Sequence, residues 1–151
     1  MSLTRRETLA LGVGAAAFAV VGLRPLAALA TKEDAQAMIK EFTGGKEPES
    51  GRITLTAPEI AENGNTVPVS VAVDSPMTDD DYVAAVMLIA EENPNPGVAV
   101  FNFTPMSGSA QAATRMRLAK TQNVVAVAKM KDGSVFMDKR EVKVTIGGCG
   151  G

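Results

Sequence analysis

The chain has 151 residues, with Lys+Arg 15, Asp+Glu 17, one Cys and no His. That length suits one domain, and a net charge of −2 argues against a dedicated nucleic-acid binder, which needs a basic face to neutralise phosphates. Without His, Ser-His-Asp and Cys-His catalysis within the chain are excluded, and a lone Cys excludes an internal disulfide, an all-Cys zinc site and a CxxC redox pair.

In chain order, the first segment reads as an address. Arg5-Arg6 precedes a weakly apolar, Gly/Ala-rich run over residues 10–23, and Ala27-Ala28-Leu29-Ala30 ends it with an A-x-A pattern. This is the layout of a twin-arginine export signal over residues 1–30. Thr8 departs from the pattern, which often carries Phe there. The apolar run is short for a membrane-spanning helix, which needs about 20 residues. Cleavage after Ala30 removes Arg5, Arg6, Arg24 and Glu7, a net +2, so the mature chain falls from −2 to −4. A mildly acidic periplasmic protein is expected, with no membrane attachment after cleavage. Twin-arginine export carries folded proteins, so a partner can travel with the chain.

The body spans residues 31–146. Ala35, Met38, Ile39 and Phe42 recur at helical spacing, which predicts one helix over residues 31–42. Thr31 with Asp34 resembles a weak capping box, and Gly44-Gly45 supplies a stop. The period then becomes two. Ile53 and Leu55 alternate with Thr54 and Thr56; Val67, Val69, Val71 and Val73 alternate with Pro68, Ser70, Ala72 and Asp74. Asn63-Gly64 is a turn dipeptide between these runs. Residues 82–90 are almost continuously apolar and could be a buried strand or a helix. Their β-branched content and the following Asn93-Pro94-Asn95-Pro96-Gly97 turn favour the strand. Further strands are predicted over residues 98–104, 114–119, 124–130, 135–137 and 142–146, with Asp132-Gly133 as a hairpin turn. Seven or eight short strands predict an all-β, immunoglobulin-like sandwich.

Residues 147–151 end the chain as Gly147-Gly148-Cys149-Gly150-Gly151. Four glycines around one cysteine predict a thin, flexible arm. Cys149, three residues past Ile146, can reach roughly 10 Å from the last strand residue. The thiol should be exposed, in an oxidising compartment, without an internal partner. It can form a disulfide with another chain or carry a bound group. No neighbouring cation lowers its pKa, so only a few per cent is thiolate at pH 7. That is poor for a nucleophilic enzyme and adequate for a carrier whose partners supply the activation.

The terminal arm resembles that of the SoxY family, sulfur-substrate carriers of bacterial thiosulfate oxidation. The resemblance extends over nearly the whole mature chain. It includes the stretch from Pro58 through Asn63-Gly64 to Val67-Pro68-Val69, similar to the family's early strand pair. Ser75-Pro76-Met77, Asn93-Pro94 and the strand leading into the arm also belong to it. The resemblance implies a heterodimer with a cysteine-less subunit, SoxZ. It implies that a cytochrome, SoxXA, oxidatively joins thiosulfate to Cys149 as an S-thiosulfonate, and that a hydrolase, SoxB, releases sulfate from it. In some organisms a sulfane dehydrogenase, SoxCD, then acts on the remaining sulfur. Gly147, Gly148, Gly150 and Gly151 would form the arm that enters each enzyme. The chain would be a substrate carrier rather than an enzyme, with no cofactor or metal of its own.

Two other readings of the terminus stand beside this one. One is a structural sandwich crosslinked to another chain through a Cys149 disulfide. The other uses the Gly150-Gly151 carboxylate as a thiocarboxylate; export opposes it, because that activation needs cytoplasmic ATP. Elsewhere, Asp79-Asp80-Asp81 lacks the spaced ligands of a calcium loop and reads as a solvated turn. Arg115, Arg117 and Lys120 form a small basic cluster, with Arg115 and Arg117 expected on one strand face. The body methionines read as core fillers.

Overall fold

In the computed structural model, which describes residues 32–145, the helical spacing near the N-terminus forms helix α1 (Lys32–Thr43). Glu33 and Asp34 lie in its first turn and Lys40 in its last, as the helix dipole favours. Gly44 and Gly45 end it at φ 66° and 83°, and the Gly45 N–H donates to the Lys40 carbonyl at 2.8 Å. Thr31, the expected cap, lies outside the described residues.

Eight strands follow. They are β1 (Ile53–Thr56), β2 (Ile60–Ala61), β3 (Val67–Val73), β4 (Val83–Ala90), β5 (Gly97–Asn102), β6 (Ala110–Met116), β7 (Gln122–Met130) and β8 (Val135–Val144). One sheet has the order β1-β3-β6 and the other β2-β8-β7-β4-β5. Every pairing is antiparallel except that of β2 with β8. The expected all-β sandwich with one short N-terminal helix is therefore the observed fold. No described helix is long and apolar enough to cross a membrane.

Residue parity explains the layers. On β4 and β7, Val86, Leu88, Ala90, Val124, Ala126, Ala128 and Met130 point between the sheets, against Leu55, Val67, Val69 and Val71. Their odd-numbered neighbours Met87, Ile89, Val125 and Val127 point outward, under Ala35, Met38, Ile39 and Phe42 of α1. These central strands are buried on both faces, so their sequences are continuous apolar runs rather than alternations. Each fully buried Val, Leu or Ile contributes roughly 1.5–3 kcal/mol of transfer free energy. The helix approaches closely because Gly97 has no side chain; a Cβ there would come within 2.5 Å of the Met38 methyl.

Three expectations are corrected. The strand predicted over residues 114–119 is β6, Ala110–Met116. Its small residues carry little strand propensity, yet they pair with β3 from Val73↔Ala110 to Val67↔Met116. Arg117 lies past the strand end, so it does not share a strand face with Arg115. Asn63-Gly64 turns the chain between β1 and β3 as expected, with the Thr66 N–H donating to the Asn63 carbonyl at 3.4 Å, although β2 lies between it and β1 and pairs in the other sheet. Finally, the two strands predicted over 135–137 and 142–146 are one, β8, through the charged stretch Asp138-Lys139-Arg140-Glu141; Ile146 lies outside the described residues.

That charged stretch has a structural task. Asp138 Oδ2 accepts the Leu55 N–H at 2.9 Å, and Arg140 Nε donates to the Leu55 carbonyl at 3.3 Å. The two side chains, 3.4 Å apart, satisfy the backbone of β1 across the gap between sheets. Asp138→Ala is expected to cost about 1–2 kcal/mol, because the Leu55 N–H loses its charged partner. The check is a lower urea midpoint at an unchanged slope. Among the methionines, Met77, Met87, Met116 and Met130 are buried as expected, whereas Met106 stands 96% exposed.

Candidate functional site

Cys149, with Gly147, Gly148, Gly150 and Gly151, lies outside the described residues, as does the segment 1–30. The structure describes the base from which they continue. Thr145 is the last described residue, and Cys149 follows four positions later. An extended link of that length spans at most about 14 Å.

The end of β8 is held along both edges. On one side β2 runs parallel to it, with Ile60↔Lys143 and Ala61↔Val144 in register. The Lys143 N–H donates to the Glu59 carbonyl at 2.9 Å, and the Thr145 N–H donates to the Ala61 carbonyl at 3.1 Å. The Thr145 hydroxyl donates to the same Ala61 carbonyl at 3.4 Å. On the other side, paired register with β7 ends at Gln122↔Val142. Beyond it the Thr121 hydroxyl takes the place of a ladder acceptor and receives the Val144 N–H at 2.9 Å.

A third element closes the base. The Leu118 N–H donates to the Gly64 carbonyl at 2.7 Å. A Cβ on Gly64 would fall 2.5 Å from the Leu118 carbonyl oxygen and 2.9 Å from Val144 Cγ1. Glycine is required here by close approach of the backbones.

The turn carrying Leu118 and Thr121 is itself held by a buried amide. Gln122 is 3% exposed. Its Nε2 donates to Asn93 Oδ1 at 2.8 Å and to the Lys120 carbonyl at 3.2 Å, and its Oε1 accepts the Glu92 N–H at 2.8 Å. Asn93 extends the network by donating Nδ2–H to the Arg117 carbonyl at 2.7 Å and accepting the Ala119 N–H at 3.0 Å. Among the described residues, no buried side-chain nitrogen or oxygen lacks a partner.

The charges nearby are modest. Glu92 binds Lys120 at 2.8 Å and Lys32 at 3.3 Å. Those hydrogen bonds, Lys120 first, hold the Glu92 carboxyl below its ordinary pKa. Its contribution is thus present at neutral pH and disappears as pH falls through the lowered folded value. Of the expected basic cluster, Lys120 is committed to Glu92 and Arg115 donates to the Thr66 hydroxyl at 3.5 Å. Asp81 of the acidic run is tied to Arg52 at 3.1 Å. The described residues contain no group of three or more His, Cys, Asp or Glu placed to hold a metal ion.

Sequence reasoning singled out the cysteine and glycines but missed Thr121 and Gln122, and read Asn93 and Gly64 only as turn residues. A glutamine leading an apolar strand is the one available signal.

The model of the family described as sulfur oxidation protein SoxY matches residues 39–149. The sulfur carrier protein SoxY from Chlorobium limicola f thiosulfatophilum is 36% identical, with a TM-score of 0.63, covering 77% of this chain and 100% of that one. Two other solved structures share the fold alone. A superoxide reductase (neelaredoxin) from Ignicoccus hospitalis is 20% identical, with a TM-score of 0.57, over 64% of this chain and 82% of its own. A putative superoxide reductase from Thermotoga maritima is 15% identical, with a TM-score of 0.53, over 69% of this chain and 90% of its own. No curated protein sequence matches the chain.

Proposed function

The chain belongs to the SoxY family, and from that premise we propose that it carries sulfur intermediates covalently on Cys149 in the periplasm. One observation carries the reading. The family match runs to residue 149, which is the chain's one cysteine. The supporting feature is the base described above, which ties the last strand on both edges just before that cysteine.

In this reading the chain is acted on rather than acting. A SoxXA-type cytochrome couples the Cys149 thiol to thiosulfate. The thiol sulfur bonds to the outer sulfur, one proton leaves, and two electrons pass to the haem protein. The product is a cysteine S-thiosulfonate. A SoxB-type hydrolase adds water across the terminal S–S bond, releasing sulfate and two protons and leaving a persulfide anion on the arm. Where a SoxCD-type dehydrogenase is present, it oxidises that sulfane sulfur. Such a carrier needs no activating group of its own, because each partner supplies activation in its own cleft. A SoxZ-type subunit completes the heterodimer, and the twin-arginine segment delivers the chain to the periplasm.

The experiment is a truncation after Ile146. In cells lacking the native gene, the truncated chain is expected to accumulate and co-purify with its partner, yet give no thiosulfate-dependent oxygen uptake. Uptake at the full-length level would overturn the reading, since every arm residue is gone. Removing only Gly150 and Gly151 separates the thiocarboxylate alternative, which requires that terminus, from a cysteine carrier, which keeps some loading.

A further inference from the structure

We propose that the outer edge of β5 is the docking strand for a partner subunit, which adds an extended segment carrying a basic side chain beside the acidic shoulder of α1. This rests on the carrier reading only for the existence of a partner subunit, and it adds where that subunit sits.

Four strands bound the two sheets: β1, β6, β2 and β5. Three of these edges are blunted. On β1 the Leu55 N–H and carbonyl are taken by Asp138 and Arg140. β2 is two residues long. β6 turns Gln111, Ala113 and Arg115 to solvent, a polar row with a cation. β5 has no such protection. Gly97–Asn102 contains neither a charge nor a proline. Val100 is 52% exposed, and so is nearly all of Met106, four residues past the strand. An uncharged apolar edge is a template for another strand unless something covers it.

The ladder with β4 defines which backbone groups are open. The Phe103 N–H donates to the Ala84 carbonyl at 3.0 Å. Bonded pairs alternate along an antiparallel ladder, so Val86↔Phe101 is bonded too, while Met87↔Val100 and Ala85↔Asn102 are not. The N–H and C=O groups of Val100 and Asn102 therefore face away from β4, and among the described residues no strand lies on that side. The open stretch has defined ends. At one end a bulge shifts the register between Leu88 and Ile89 and skips Val98. At the other, the Thr104 N–H donates to the Ser107 hydroxyl at 3.1 Å.

Charge selects the occupant. The Met87↔Val100 pair places Val100 on the sheet face that α1 covers. Met38 is the α1 side chain that meets β5, since a Cβ on Gly97 would lie 2.5 Å from its methyl. Further round the helix on that side come Asp34 and Glu41, at i−4 and i+3 from Met38, both exposed. Lys32 and Lys40 lie on the other flank, where Lys32 binds Glu92. A strand added to β5 thus runs beside an acidic shoulder. A second copy of β5 brings no cation, and its own Asp34 and Glu41 would approach across the twofold axis. A partner strand with Lys or Arg on the side facing α1 matches both the open backbone groups and the charge.

The test uses the mature full-length chain and the purified SoxZ-type subunit. Amide exchange at Val100 and Asn102 is expected to be fast in the free chain and about tenfold slower in the complex. Exchange at Phe101 and Phe103, already bonded to β4, should change little. Val100→Pro removes one outward N–H without touching the β4 ladder and should weaken binding about tenfold. Val100→Thr keeps that donor and should bind within about twofold of wild type. Glu41→Lys, on an exposed helix face, should weaken binding about threefold at low salt and less at high salt. A complex in which Val100 and Asn102 stay unprotected would overturn this inference and leave the carrier reading intact. Protection that grows with the concentration of this chain alone would give the edge to a second copy and overturn the partner assignment. Glu41→Lys binding as tightly as wild type would overturn the charge match. No complex at all would overturn the inference together with the heterodimer, while sulfur adducts on Cys149 would still support the carrier chemistry.

Discussion

A Cys149→Ser variant is expected to lose every reductant-sensitive sulfur adduct and all thiosulfate-dependent turnover, while folding and partner assembly stay at wild-type levels. The size of the effect follows from chemistry. A serine oxygen cannot form the disulfide-like bond that holds a thiosulfonate or persulfide, and the chain has no second cysteine to substitute. Loss should therefore be complete rather than graded. Stability should be unaffected, because the change replaces a single side-chain atom and the described residues already form two cores, one between the sheets and one beneath the helix. Intact mass, oxygen uptake and co-purification check the three parts together. A structural crosslink through Cys149 predicts a different pattern, in which the variant loses the covalent dimer but pathway turnover persists.

The second large effect is expected at Gln122. Gln122→Leu keeps a similar volume but removes both ends of the amide. The Glu92 N–H and the Lys120 carbonyl lose their partner, and Asn93 Oδ1 loses one of its two donors. Leaving such groups unpaired in a site only 3% exposed costs about 3 kcal/mol. For a domain of this size that corresponds to a melting temperature lower by about 10 °C. Gln111→Leu, on the exposed face of β6, is the control and should change stability by less than about 0.5 kcal/mol. Equal losses in both variants would mean that the amide network contributes nothing specific. Because Gln122 holds the Thr121 turn, the Leu variant should also speed amide exchange at Val144.

Much of this architecture is legible in the sequence. Helix α1 showed in the i, i+3, i+4, i+7 apolar spacing, and β1 and β3 in strict alternation. The run over residues 82–90 was ambiguous because helix and sheet bury opposite faces of β4, which erases the period of two. β2 shows no period of its own, since two residues, Ile60 and Ala61, are too few, and only the family resemblance over residues 58–64 marks a strand there. The unity of β8 was hidden because Asp138 and Arg140 look like loop residues until Leu55 is seen between them. β6 was shifted because pairing with β3, rather than its own small residues, makes Ala110–Met116 a strand.

The functional end divides the same way. Four glycines around the one cysteine are what mark residues 147–151 as the candidate arm in the sequence, and they lie outside the described residues. Its base is not so marked, because the Thr121–Val144 bond joins positions 23 apart in sequence. Gly64 reads as a turn residue and sits in the Asn63–Thr66 turn, but its second task, letting the Leu118 backbone and Val144 approach, is not written in the dipeptide. Composition points to a candidate group, the lone cysteine; the approach of Gly64, Leu118, Thr121 and Val144 is a tertiary event that no local pattern encodes.

The most direct measurement is intact mass of the mature protein taken from the periplasm of thiosulfate-oxidising cells, before and after a thiol reductant, with the trypsin fragment beginning at Val144 analysed alongside. The carrier account predicts masses raised by sulfur, sulfite or thiosulfate units, all confined to the fragment holding Cys149 and all removed by the reductant. A single unmodified mass, or a protein–protein disulfide alone, would contradict it.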